Sequence, residues 1–224
     1  MINKKIIIAL DGMSVSRALK IAKLLSGKAW GFKVNDLLHN PKFQIKNLKK
    51  YGHVFIDAKL HDTPNTVFNS VRQLSRQGVE MITVHASGGF DMMKSAKQAA
   101  LRRAQGKTKI IAVTVLTSIG GDVRNKVLKL ARDAQEAGVD GIVCSAHELK
   151  YLKNIKPINK IQGGLLKIVP GIRPSWYGKK DDQKRSATPK EALRAGADYL
   201  VIGRPITQAK DPVKALASVN PEKE

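Results

Sequence analysis

The stretch His53–Gly78, HVFIDAKLHDTPNTVFNSVRQLSRQG, holds one complete structural unit. Its first residues, HVFIDAK, form an apolar run of strand length. Its last, TVFNSVRQLSRQG, space their apolar residues at helical intervals and close on a glycine. Between them sits a cluster of charge: Asp57, Lys59 and Asp62 at the exit of the strand. A buried strand that ends in charged groups is costly unless those groups pair. The order strand, charged exit, helix is the unit of a parallel α/β fold.

The pattern recurs along the whole chain. Further apolar runs are KIIIALD, AWGFKV, MITVHA, KIIAVTVLT, GIVCSA, LLKIVPG and DYLVIG, giving eight with HVFIDAK. Helix-like segments separate them. SVSRALKIAKLLSG opens on a serine cap and closes on Gly27, and DVRNKVLKLARDAQEAG closes on Gly138. TPKEALRAG has Thr188 as cap, Pro189 at the first helical position and Gly196 at its end. Eight units in 224 residues leave 28 residues for each. The strands read as near-continuous apolar runs, as expected when both faces are covered. The expected fold is a (β/α)₈ TIM barrel, a single catalytic domain spanning residues 1–224.

Composition narrows the classes of function. No apolar run approaches the roughly 20 residues that span a bilayer. The basic start and short apolar run of MINKKIIIALDG end at Asp11 and read as a first strand rather than a signal peptide. The only cysteine, Cys144, lies within GIVCSA and reads as a small core residue, so a reducing cytoplasmic setting is expected. The net charge is +22. Its lysines are spread over nearly every helix, and aromatics make up only 5% of the chain. This favours a solvated basic surface over a nucleic-acid groove, which interleaves charge with stacking side chains. Such a surface could also concentrate an anionic substrate.

Barrel chemistry sits at the carboxyl ends of the strands. There the sequence places Asp11 after the first strand, Lys33 on the second, Asp57 and Lys59 on the third and Asp62 beyond it. His85 follows on the fourth strand, Thr117 and Ser118 after the fifth, Arg173 after the seventh, and Gly203 with Arg204 after the eighth. Asp57 and Lys59 are two residues apart and share a face of a regular strand. A carboxylate and an ammonium about 4 Å apart attract by roughly 4 kcal/mol at an effective dielectric near 20, enough to keep both ionised. VPGIRP and VIGRPIT supply two arginines at consecutive strand ends, where barrels commonly bind phosphate. The polar stretch SWYGKKDDQKRSAT between them is long for a barrel loop and reads either as a solvated excursion or as a lid. The five histidines show no metal-binding spacing, and no GxGxxG or Walker loop is present. No metal and no cofactor are expected.

DAKLHDTPNTV resembles the signature of the orotidine 5′-phosphate decarboxylase family: Asp-x-Lys-x-x-Asp, then Ile or Thr, then Pro-Asn-Thr. The resemblance extends to IALD, FKV, TVLTS, VPGIRP, DDQKR and VIGRPIT, in the order and spacing of the bacterial enzymes. It implies cofactor-free decarboxylation of orotidine 5′-monophosphate to uridine 5′-monophosphate in pyrimidine biosynthesis. Lys59 would protonate carbon 6, Asp57 would face the substrate carboxylate, and Lys33 and Asp62 would complete an alternating charge network. Asp11 and Lys33 would bind ribose hydroxyls and Thr117 the pyrimidine edge. Arg173, Gln183, Gly203 and Arg204 would hold the phosphate, with Gln183 on the lid. Thr63 and Thr66 would join the substrate-binding set. Asp62 and Thr63 would reach into a partner's site, making the active unit a homodimer. Two other readings remain: a magnesium-dependent sugar-phosphate enzyme sharing Asp-x-Lys-x-x-Asp, and an inactive basic barrel that holds nucleic acid.

Overall fold

The computed structural model describes residues 3–101, 108–116, 118–119, 121–153, 155, 164–178 and 185–219. Eight parallel strands close into a barrel in chain order: β1 (Asn3–Ala9), β2 (Ala29–Val34), β3 (His53–Leu60), β4 (Met81–His85), β5 (Lys109–Val113), β6 (Gly141–Val143), β7 (Leu166–Val169) and β8 (Tyr199–Ile202). β1 closes the ring against β8, with Ile7 opposite Val201. The sequence expectation of a TIM barrel holds. All eight strands lie within or beside the runs that marked them.

Around the strands lie α1 (Val15–Leu25), α2 (Ile45–Lys49), α3 (Pro64–Ser75), α4 (Phe90–Leu101), α5 (Arg124–Glu136), α6 (Leu149–Leu152), α7 (Pro189–Ala195), α8 (Arg204–Thr207) and α9 (Pro212–Ser218). Local chemistry sets their ends. Ser14 accepts a hydrogen bond from the Arg17 amide at the start of α1, whose Ala18, Ile21, Ala22 and Leu25 are buried. Thr188 and Glu191 form a reciprocal capping box on α7, and Gly196 ends it in the left-handed region at φ 106°. No helix among the described residues is long and apolar enough to cross a membrane.

Alternation along the strands sorts side chains into two cores. Ile6, Ile8, Val54 and Ile56 face the helices. Ile7, Phe55, Met81, Ile111, Ile168 and Val201 fill the barrel interior. β2 and β3 approach closely where Gly31 pairs with His53; a Cβ on Gly31 would lie 2.2 Å from the His53 carbonyl oxygen. Cys144 is fully buried, and burial pushes its thiol pKa up, as suits a core residue.

Differences from the sequence expectation cluster at the strand exits. β1 stops at Ala9 and β5 at Val113, short of the apolar runs that suggested them. Thr114 turns both its amide and its hydroxyl to the Val143 carbonyl, which ends the β5 ladder. After β2 and after β6 the chain forms 3₁₀ turns, Asp36–His39 and Ala146–Glu148, followed by helices of only five and four residues. α3 begins two residues earlier than the sequence suggested, because Pro64 takes the first helical position behind Thr63.

Candidate active site

The interior face of each strand continues upward into the mouth. On β1 the inward series Ile7, Ala9 leads to Asp11 just past the strand; on β3 Phe55 leads to Asp57. Lys33 lies opposite Ala9 in the β1–β2 register and opposite Phe55 in the β2–β3 register. These positions converge on one cavity of about 490 Å³, lined by Asp11, Lys33, Asp57, Lys59, Arg173 and Arg204 around an apolar floor that includes Val113, Val143, Ile168 and Val201. Gly203 lines it too.

The charged groups form a chain. Lys33 Nζ donates to Asp11 Oδ2 at 2.5 Å and lies 3.0 Å from Asp57 Oδ2. Lys59 Nζ donates to the same Asp57 oxygen at 2.7 Å. Asp11, Lys33, Asp57 and Lys59 therefore alternate in sign along a path of direct contacts. Burial opposes charge on Lys33, yet Asp57 and Asp11 outweigh it, and its pKa is raised above the ordinary 10.5. Burial likewise opposes the Asp57 carboxylate, but Lys33 and Lys59 outweigh it and hold its pKa below the ordinary 3.8. Both groups stay ionised in a site where each is only 7% exposed.

Lys59 reaches Asp57 through an irregular strand. The β3–β4 ladder steps from Ile56 opposite Ile82 to Leu60 opposite Val84, so three residues of β3 face one of β4. Lys59 sits at φ 47°, the only non-glycine residue with positive φ among those described. The regular alternation expected of Asp57 and Lys59 is thus broken, and their contact depends on the irregularity. Asn35 supports the turn by donating to the Asp57 carbonyl at 2.6 Å.

Across the cavity, Arg173 and Arg204 occupy the exits of β7 and β8. Arg173 packs its guanidinium over the Tyr177 ring, 5.6 Å from the centroid, and donates to the Ile172 carbonyl at 2.9 Å. Arg204 opens α8 directly after Gly203. Asp62, Thr63 and Thr66 lie elsewhere: all three are exposed at the start of α3 and do not line this cavity. The Asp62 carboxylate accepts from the Thr63 amide at 2.6 Å, and the Thr63 and Thr66 hydroxyls are 3.0 Å apart. Ser118 is exposed. Thr117 and Gln183 lie outside the described residues, as does part of the SWYGKKDDQKRSAT stretch. The two mouth histidines pair with each other, the His61 and His85 rings 5.4 Å apart. Burial, then His61 and Lys59, lower the His85 pKa. No group of three metal-ligating side chains converges among the described residues.

Thr83 escaped the sequence reading. It is fully buried on β4, with its hydroxyl between Asp57 and the Lys59 amide. The available sign was a hydroxyl residue at an inward position of β4, beside the strand that carries Asp57.

Residues 4–219 match the Orotidine 5'-phosphate decarboxylase / HUMPS family. This chain belongs to that family. A relative from Pseudoalteromonas translucida strain TAC 125, named orotidine 5'-phosphate decarboxylase, is 45% identical over 232 residues, covering 97% of this chain and 96% of its own. One of the same name from Pseudomonas fluorescens strain SBW25 is 44% identical over 227 residues, covering 96% and 95%. The crystal structure of orotidine 5'-phosphate decarboxylase from Lactobacillus acidophilus superposes with a TM-score of 0.80 at 34% identity, covering 98% of this chain and 99% of that one. The family match spans every strand exit that supplies the cavity, from Asp11 to Arg204.

Proposed function

We propose that this chain decarboxylates orotidine 5′-monophosphate to uridine 5′-monophosphate in pyrimidine biosynthesis, as a carboxy-lyase working with side chains alone. The observation that carries the reading is the alternating chain Asp11–Lys33–Asp57–Lys59 facing two arginines across one cavity. Family membership and the relatives' shared name point the same way.

In this mechanism the phosphate lies toward Arg173, Gly203 and Arg204, with Gln183 and the segment around it closing over the ligand. The ribose hydroxyls meet Asp11 and Lys33, and Thr117 meets the pyrimidine edge. The substrate carboxylate lies against Asp57. The bond from carbon 6 to the carboxyl carbon breaks, its electron pair stays on carbon 6, and carbon dioxide leaves. Lys59 Nζ–H delivers a proton to that carbon and is left as a neutral amine. A fixed ammonium where negative charge develops stabilises the transition state and supplies the proton from one group. Binding energy from the remote phosphate aligns the reacting bond.

Asp62, Thr63 and Thr66 are exposed at the start of α3 and point the reading toward a homodimer in which Asp62 and Thr63 complete a partner's site, with Thr66 in the substrate-binding set. Residues 1–224 act as one catalytic domain in the cytoplasm.

The test is direct: mix the protein with orotidine 5′-monophosphate, with and without chelator, and follow ultraviolet absorbance. Rapid conversion to uridine 5′-monophosphate that ignores chelator is the expected result. No conversion by folded protein would overturn the reading. Turnover of a sugar phosphate that chelation abolishes would move the chain to the magnesium-dependent relatives.

A further inference from the structure

We propose that Thr83 is the positioning residue of the charge chain: one hydroxyl fixes both the carboxylate of Asp57 and the backbone of Lys59. This rests on the decarboxylase reading and assigns a residue on a fourth strand to its site.

Thr83 is fully buried, and its hydroxyl has two partners. Oγ1 donates to Asp57 Oδ1 at 3.0 Å and accepts from the Lys59 amide at 2.8 Å. An ionised carboxylate can only accept, and an amide N–H can only donate, so the direction of both bonds is fixed. The hydroxyl's single proton goes to Asp57 and a lone pair takes the Lys59 amide. With Oδ1 held from behind, Asp57 presents Oδ2 to the cavity, where it meets Lys33 at 3.0 Å and Lys59 at 2.7 Å.

The backbone role follows from the irregular ladder. Asp57, Ala58 and Lys59 stand opposite the single residue Thr83. The Lys59 amide turns to the Thr83 side chain, and the left-handed backbone at φ 47° is tied to β4 by that bond. Removing the hydroxyl would leave a buried N–H without its partner and free the carboxylate to rotate. Lys59 would then keep its charge but lose its aim. An error of about 1 Å in a reacting group is enough to cost on the order of 100-fold in rate.

The experiment compares Thr83→Val, which keeps the shape and removes the hydroxyl, with Thr83→Ser, which restores it. For Thr83→Val, kcat should fall on the order of 100-fold, while affinity for uridine 5′-monophosphate, measured by titration calorimetry, stays within about 3-fold. Thr83→Ser should recover kcat to within roughly 5-fold of wild type. Thermal melts accompany both. If Thr83→Val does not fold, Thr83→Cys takes its place, close to serine in shape but only a weak donor, and its kcat should fall well below that of Thr83→Ser. A folded hydroxyl-free variant with near-wild-type kcat overturns the proposal. So does a parallel fall in kcat and product affinity, which marks general damage to the cavity, and so does failure of serine to rescue. An inactive wild type overturns this proposal together with the decarboxylase reading; an active wild type with an indifferent Thr83→Val overturns this proposal alone.

Discussion

The two sides of the barrel mouth are built differently. On the β1–β4 side, Lys33, Asp57 and Lys59 stand on the strands themselves and Asp11 two residues past β1, joined by ion pairs of 2.5–3.0 Å with a buried hydroxyl behind them. On the β5–β8 side, the strands contribute apolar residues such as Val113, Val143, Ile168 and Val201, and the cations stand on the segments beyond. Arg173 follows β7 by several residues and leans on Tyr177. Charge that must act on a reacting bond needs fixed geometry, because reorganisation during the reaction forfeits its effect. Charge that only grips a remote group tolerates a longer tether and can move with a closing loop. One half of the mouth reads as machinery for chemistry and the other as a handle.

The sharpest way to break this contrast is to remove one cation from each side. On the proposed mechanism Lys59→Ala deletes both the proton source and the charge at carbon 6, so kcat should fall by about 10⁴-fold or more. Affinity for uridine 5′-monophosphate should change little in a titration. Near-native turnover in that variant would remove Lys59 from its assigned role. Arg204→Ala should instead lower kcat/KM for the phosphorylated substrate by about 100-fold, the scale of a lost charge-assisted hydrogen bond. The same substitution should leave turnover of orotidine, which lacks the phosphate, nearly unchanged. Equal losses on both substrates would show that Arg204 does not act as the phosphate handle.

The smallest expected effect concerns pH. The Asp57 pKa is depressed, so its pairing contributes stability above the ordinary value of 3.8 and loses it as pH falls through the still lower folded value. The Lys33 pKa is raised, so its contribution is complete below 10.5 and is lost as pH rises through the folded value. Between those limits neither group titrates. Melting temperature measured from pH 5 to pH 9 should therefore contain no step that Lys33→Met removes. A wild-type step absent from that variant would mean the charge chain is not locked in its ionised form.

Much of this was legible in the sequence. Apolar runs bounded by glycine-closed helices gave all eight strands, and the strand-exit rule gathered Asp11, Lys33, Asp57, Lys59, Arg173, Gly203 and Arg204 into one cavity. Strand ends were less legible at β1 and β5, because Leu10, buried in the outer core, and Val115 and Leu116, which line the mouth, carry the apolar runs past the last strand residue. The short helices after β2 and β6 also left little periodicity to read. Thr83 was hidden because threonine is an ordinary strand former. Its importance depends on the irregular pairing of β3 with β4, which composition does not encode. Asp62, Thr63 and Thr66 were singled out by motif, yet they lie outside the cavity of their own chain.

The left-handed backbone of Lys59 has a consequence for protein engineering. An L-residue there gives up roughly 1–2 kcal/mol of conformational energy that glycine would not. Of two truncations at this position, Lys59→Gly should melt higher than Lys59→Ala, inverting the usual order of those residues in regular structure. A library of truncations at this position sorted on heat resistance alone would therefore rank glycine above alanine, while the wild-type ammonium keeps its ion pair with Asp57 as an offset to the backbone cost.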